Sequence, residues 1–185
     1  HIVPKKIVKR IIDDFNAYTG GNRSLHISGG MAFIHGKYPV YQAAEDAAQA
    51  LEMAKGLSGK DAFGFLGKAW KWSDFARLRD QYALLVKLVE EKNGPKSIIQ
   101  VLQRLAQMTE KRTSKGKIEK ILWGPFQWLG AYQLARMIDQ YRKQESIKQS
   151  LETIREDVGP FFENIHSWGV AARWAQLFTR KEYGK

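Results

Sequence analysis

The sequence has no cysteine, which excludes disulfides, thiolate catalysis and cysteine-ligated zinc, and suits a cytoplasmic protein. It has no apolar run approaching the roughly 20 residues that cross a bilayer. The opening stretch, "HIVPKKIVKRII", has neither a long apolar h-region nor a small-residue cleavage site, so it does not read as a secretory signal. Histidine is scarce: the four residues, at 1, 26, 35 and 166, form no i,i+4 pair and no HExxH, which argues against a zinc site. His26, on a strand, reads as a half-buried structural residue. There is no G-x-S-x-G and no P-loop, since "GLSGK" at 56–60 lacks the Walker spacing. Glu45 and Asp46 are adjacent on a helix and point in different directions, a poor arrangement for paired acid/base work.

What is present is a globular composition. Of 185 residues, 44% are hydrophobic, 26% charged and 12% aromatic, enough to bury a core in one domain or two small ones. The net charge is +11. Divided at residue 60, the chain carries 8 basic and 5 acidic residues up to that point, then 22 and 14. Both parts are basic, so an anionic partner such as a nucleotide or nucleic acid fits, although solvated lysines give the same count.

Along the chain, Ile7, Val8, Ile11, Ile12, Phe15 and Tyr18 make one helical stripe, ended by Gly20-Gly21-Asn22. Leu25 and Ile27 alternate with His26 and Ser28, and Met31 and Phe33 follow, which reads as a strand interrupted by Gly29-Gly30. Residues 40–55 form an alanine-rich helix suited to close packing on a sheet, and "DAFGFLG" is a short aromatic strand. After Gly67 no further strand pattern appears. Helices are expected over 72–91, 97–108, 126–141, 146–158 and 160–181, with a basic loop at "TEKRTSKGK" and a helical run beginning at Ile118. The predicted class is α+β: a helix-strand-helix-strand layer over residues 1–68, then an all-helical bundle over 69–185. Because the chain opens directly into a helix with no preceding strand, it reads as a fragment of something larger.

An anion site needs backbone that oxygen atoms can approach closely and a lysine held nearby. Ser28, Gly29 and Gly30 offer the first, and Lys55 and Lys60 the second, near one edge of the predicted sheet. The plainer alternative stays open at this point. The glycines fit a bulge, Lys55 fits a cation complementing a helix C-terminus, and Lys60 fits a solvated turn. The densest basic stretch, Lys111, Arg112, Lys115, Lys117 and Lys120, suits phosphate contacts or simple solvation. The six tryptophans offer stacking faces for single strands, but their helical spacing assigns most of them to the core.

The segment "LHISGGMAFIHGKYPVYQAAEDAAQALEMAKGLSGKDAF" resembles the rear half of the GGDEF/polymerase-palm superfamily. "SGGMA", "AEDAAQALEMAK" and "SGKDAF" stand where its cyclases have a serine-glycine strand, an A-K helix and a G-R-N strand. It resembles still more the large subunit of type III CRISPR effector complexes, the Csm-like branch in particular. "GKYP" at 36–39, "FLGKAWKWSDF" at 65–75 and "YQLARMI" at 132–138 carry that likeness.

The resemblance implies a partial ferredoxin-like palm followed by a helical C-terminal domain. It implies nucleotide contacts from Ser28, Gly29, Lys55 and, displaced by one position, Lys60. It further implies ATP as substrate, a divalent metal (Mg or Mn), and synthesis of cyclic oligoadenylates when target RNA is held. The expected partners are the guide RNA–protein complex, small helical subunits and target RNA. The Gly-Gly-Asp-Asp pair that holds metal in that family has no counterpart here: Gly20-Gly21-Asn22-Arg23 lacks the carboxylates, and Asp13 and Asp14 lie on the first helix. Catalytic metal ligands are therefore expected outside this chain. Two alternatives remain, a catalytically silent RNA-complex scaffold and a diguanylate-cyclase-like protein, the latter weakened by the long helical tail.

Overall fold

A computed structural model describes residues 4–22, 24–34, 37–112, 118–121 and 123–179. It divides into two compact units, His1–Ala76 and Arg77–Lys185.

In the first unit, helix α1 (Pro4–Tyr18) precedes strand β1 (Gly29–Met31), helix α2 (Val40–Lys55), strand β2 (Ala62–Phe65) and strand β3 (Lys68–Lys71). The three strands form one sheet in the order β1-β2-β3, with β1 and β2 parallel and β2 and β3 antiparallel. The parallel pair is joined through α2, because two parallel strands need a long crossover. Alternation along the strands sends Gly30 and Gly64, directly paired across β1 and β2, to the face that carries α2. A Cβ on Gly30 would sit 2.3 Å from the Ala47 carbonyl oxygen, and one on Gly64 would sit 2.0 Å from that of Ala50. Helix and sheet backbones therefore touch. The alanines that permit this are Ala47, Ala50 and Ala54, spaced to share one side of α2, with Ala50 and Ala54 buried.

The opposite face of the sheet is aromatic. Phe63 and Phe65 are buried there. Trp72 stacks on Phe63 with ring centres 4.9 Å apart, Phe75 meets Phe63 edge-on at 5.2 Å, and Phe33 meets Phe65 at 5.5 Å. The Trp72 indole nitrogen also donates to the Ile27 carbonyl at 2.8 Å, fixing the approach to β1.

Strand β3 forms where the sequence pattern showed no strand. Phe65 pairs with Lys68, so Leu66 and Gly67 are a two-residue hairpin turn, with φ of +50° and +78°. That is the primed turn that matches strand twist, but it is ordinarily written Asn-Gly, and a leucine in the left-handed region hides the signal. On the apolar stripe of α1, Ile11 and Tyr18 are exposed.

The second unit begins within helix α3 (Trp72–Val86), which continues as a π-helical turn, Lys87–Glu91. Helices α4 (Ser97–Met108), α5 (Pro125–Gln140), α6 (Glu145–Val158) and α7 (Ile165–Thr179) follow. The expected helical bundle is thus present, with bounds within a few residues except that α7 starts only at Ile165. α4 and α7 form its main contact, brought close at Gly169, where a Cβ would lie 2.3 Å from that of Ala106. Leu102, Leu105, Leu134, Leu151, Ile154, Trp168 and Trp174 are among the buried core.

Two expectations change here. The helical run from Ile118 is instead strand β5 (Ile118–Lys120), and the preceding "basic loop" contains strand β4 (Glu110–Arg112), its antiparallel partner. The backbone register sets Glu110 opposite Lys120 and Lys111 opposite Glu119, a cross-strand pairing that local helix propensity does not reveal. Pro125 starts α5 in its first turn.

Candidate nucleotide-binding site

Ser28 immediately precedes β1, Lys60 lies just ahead of β2, and Lys55 is the last residue of α2. In a parallel pair both strands start at one end, and the crossover helix between them finishes at that same end. The topology therefore gathers Ser28, Lys55 and Lys60 at one end of the sheet. Two of the three are bonded: the Ser28 hydroxyl donates to the Lys60 carbonyl at 2.5 Å. Lys60 itself holds φ of +51° after Gly59 at +92°. Such a left-handed conformation costs a non-glycine residue on the order of 1–3 kcal/mol.

Lys55 is exposed and forms an ion pair with Glu52, one turn earlier, at 2.8 Å. A pair this open to water is worth about 0–1 kcal/mol, so the ammonium is readily exchanged to another anion. Gly29 lies on the aromatic face, beneath Trp72, whose ring a Cβ would meet at 3.3 Å. His26, read from sequence as half-buried, is exposed.

At the other end of α2, the Tyr38 hydroxyl donates to Asp46 at 2.8 Å. That hydrogen bond, followed by slight desolvation and the charges of Asp46 and Glu45, raises the phenol above its ordinary value of 10.0. The pair was not legible in sequence, since a spacing of eight residues across a Pro-bounded turn follows no motif. Among the described residues no three or more histidine, aspartate or glutamate side chains gather into a group able to hold a metal ion. Asp14 instead pairs with Arg10 at 3.6 Å on the exposed side of α1.

Of the proposed RNA-contacting residues, Lys111 and Arg112 belong to β4, whereas Lys115 and Lys117 lie outside the described residues. Among the tryptophans, Trp168 and Trp174 are core, but Trp123 and Trp128 are exposed. Among the described residues no helix is long and apolar enough to cross a membrane.

The sheet and its crossover helix are compatible with a palm: residues 5–64 match the family model described as Cas10/Cmr2, second palm domain. That span holds α1, β1 and α2 and nearly all of β2, with Ser28, Gly29, Lys55 and Lys60 inside it. The match covers about a third of the 185-residue chain, and over that segment the chain is similar to the large subunits of type III CRISPR complexes. Neither a curated protein nor a solved structure matched the chain.

Proposed function

We infer that the palm unit contributes to ATP binding for cyclic oligoadenylate synthesis when a type III complex recognises its target RNA. The observation that carries this reading is that the family match spans all four candidate nucleotide contacts. In this reading Lys55 leaves Glu52 to neutralise triphosphate oxygens, and Ser28 lies near the adenine or ribose, positioned by its bond to the Lys60 carbonyl. The left-handed Lys60 supports it, because strain in a non-glycine residue collects where function over-determines the backbone. The palm is of the ferredoxin-like type, with α1 and β1-α2-β2 as its rear part. The metal, Mg or Mn, is held by residues other than those described here.

The helical unit docks small helical subunits, and the basic 111–117 stretch approaches phosphates of the guide or target RNA. The test is the assembled complex with target RNA and ATP, comparing Lys55→Ala with the parent. A drop in oligoadenylate yield of about tenfold or more is expected if one charge-assisted phosphate contact is lost. Unaltered output sinks the phosphate role of Lys55.

A further inference from the structure

Every large hydrophobic side chain exposed in the second unit, among the described residues, is aromatic: Trp123, Trp128, Tyr132, Phe161 and Phe178. The first unit differs, exposing Ile11, Leu25, Ile34, Val40 and Met53 as well as aromatics. Four of the five aromatics in the second unit belong to one region around α5. Trp123 stands just before the helix and is 69% exposed; its ring meets that of Phe161, 60% exposed, at 5.7 Å. Gln127 in the first turn of α5 holds Phe161 in place by donating to its carbonyl at 3.2 Å. Trp128 and Tyr132, 66% and 59% exposed, follow one turn apart on the helix, with exposed Arg136 one turn further on the same line.

Burial does not account for these rings. No exposed large aliphatic is present among the residues of this unit whose side chains are described. Successive flat faces with a cation are what a single-stranded nucleic acid uses, because every base has a π-face and every link a negative charge. Of the charged groups described beside the rings, Arg136 has the matching sign, while the Glu163 carboxylate accepts from the Phe161 backbone N–H at 3.1 Å. The segment joining α4 to Trp123 runs through β4 and β5 and, over residues 110–120, contains five basic and two acidic residues. On α5 itself the charged residues are Arg136 and Asp139, and Asp139 is paired with Arg142 at 3.7 Å.

We propose that Trp123, Phe161, Trp128 and Tyr132 form a base-stacking platform for a single-stranded nucleic acid, with Arg136 at its far end. It lies on the helical unit and does not depend on the nucleotide reading of the palm. Trp128 and Tyr132 are about 6 Å apart along the helix axis, at 1.5 Å rise per residue, a separation that lets neighbouring bases of an extended strand rest on different rings. Binding through ring faces tolerates any base sequence and either sugar.

The experiment uses the full 185-residue chain. A fluorescein-labelled oligouridylate, the equivalent DNA strand and an RNA duplex are titrated while anisotropy and tryptophan emission are followed. Both single strands are expected to bind and to quench tryptophan emission, with the duplex much weaker. Trp128→Ala and Tyr132→Ala should each weaken single-strand binding by about tenfold, and Trp128→Phe should retain most of it. All three positions are exposed, and circular dichroism checks that the helices persist. Three results overturn the proposal: no single-strand binding by the parent chain, equal affinity for duplex and single strand, or alanine variants that bind as the parent does. Loss of a protein partner by these variants, with strand binding intact, is a form of the third result and assigns the platform to protein docking.

Discussion

At the residue scale, the palm unit depends on which positions lack a side chain and which hold an unusual backbone. Gly64→Ala would place a Cβ 2.0 Å from the Ala50 carbonyl oxygen, and Gly30→Ala would do the same 2.3 Å from that of Ala47. Neither obstacle is a flexible side chain, so the helix must shift. Each substitution is expected to cost about 1–3 kcal/mol, read as a lower urea midpoint. Gly29→Ala meets a ring at 3.3 Å and should cost less. Leu66 gives the opposite sign. It sits at φ +50° in the hairpin turn, where asparagine or glycine is at ease, so Leu66→Asn should stabilise by about 0.5–1 kcal/mol in the same measurement.

Tyr38 supplies a titration. Its raised phenol means that the folded chain holds that proton more tightly than the unfolded chain. Its contribution is complete below the ordinary value of 10.0 and is lost as pH rises through the raised value. Asp46→Asn removes the charged acceptor and should bring Tyr38 down toward that ordinary value in an absorbance titration. Tyr82, raised by burial, should keep its position and serve as the internal control.

At the element scale, the helical unit is stapled by one carboxylate. Asp157, in the last turn of α6, accepts from the Gln81 amide at 2.7 Å and from the Trp168 indole at 2.9 Å, and pairs with Arg77 at 3.0 Å. Its backbone carbonyl accepts from Asn164 at 2.8 Å. α3, α6 and α7 meet through this group. The Arg77 pair is open to solvent and contributes little, whereas Trp168 is buried. Asp157→Ala therefore leaves a buried indole donor and a buried amide unpaired, at about 1–3 kcal/mol, while Asp157→Asn keeps an acceptor and costs less. Urea unfolding of the two variants separates these outcomes. Nothing in the sequence singled out Asp157, because its partners lie 76 to 80 residues away on α3 and 11 residues away on α7. The helices themselves were legible, since each has an apolar stripe of helical period. The β4-β5 hairpin was not, since its three-residue strands take their stability from each other and from no local pattern.

At the scale of the whole molecule, the two compact units carry separate cores, and residues 72–185 contain the complete helical one. A chain of those residues is expected to fold alone, with a helical circular dichroism spectrum and a cooperative urea transition. A noncooperative transition would show that the unit needs the palm. Read from the sequence alone were the main helices, the alanine face of α2 and the likeness to a palm, but not the strands after Gly67. The first three are written in local spacing or in a contiguous motif. Only the tertiary structure decided that Gly30 and Gly64 lie side by side under α2, that Ser28 reaches Lys60, and that Asp157 gathers three helices. It also decided that Trp123 and Trp128 stay outside the core holding Trp168 and Trp174. Periodicity records that a residue has an apolar face, but which of several such faces is covered depends on partners distant in sequence. Burial is a property of the packed chain, and for these two tryptophans it left the rings in water.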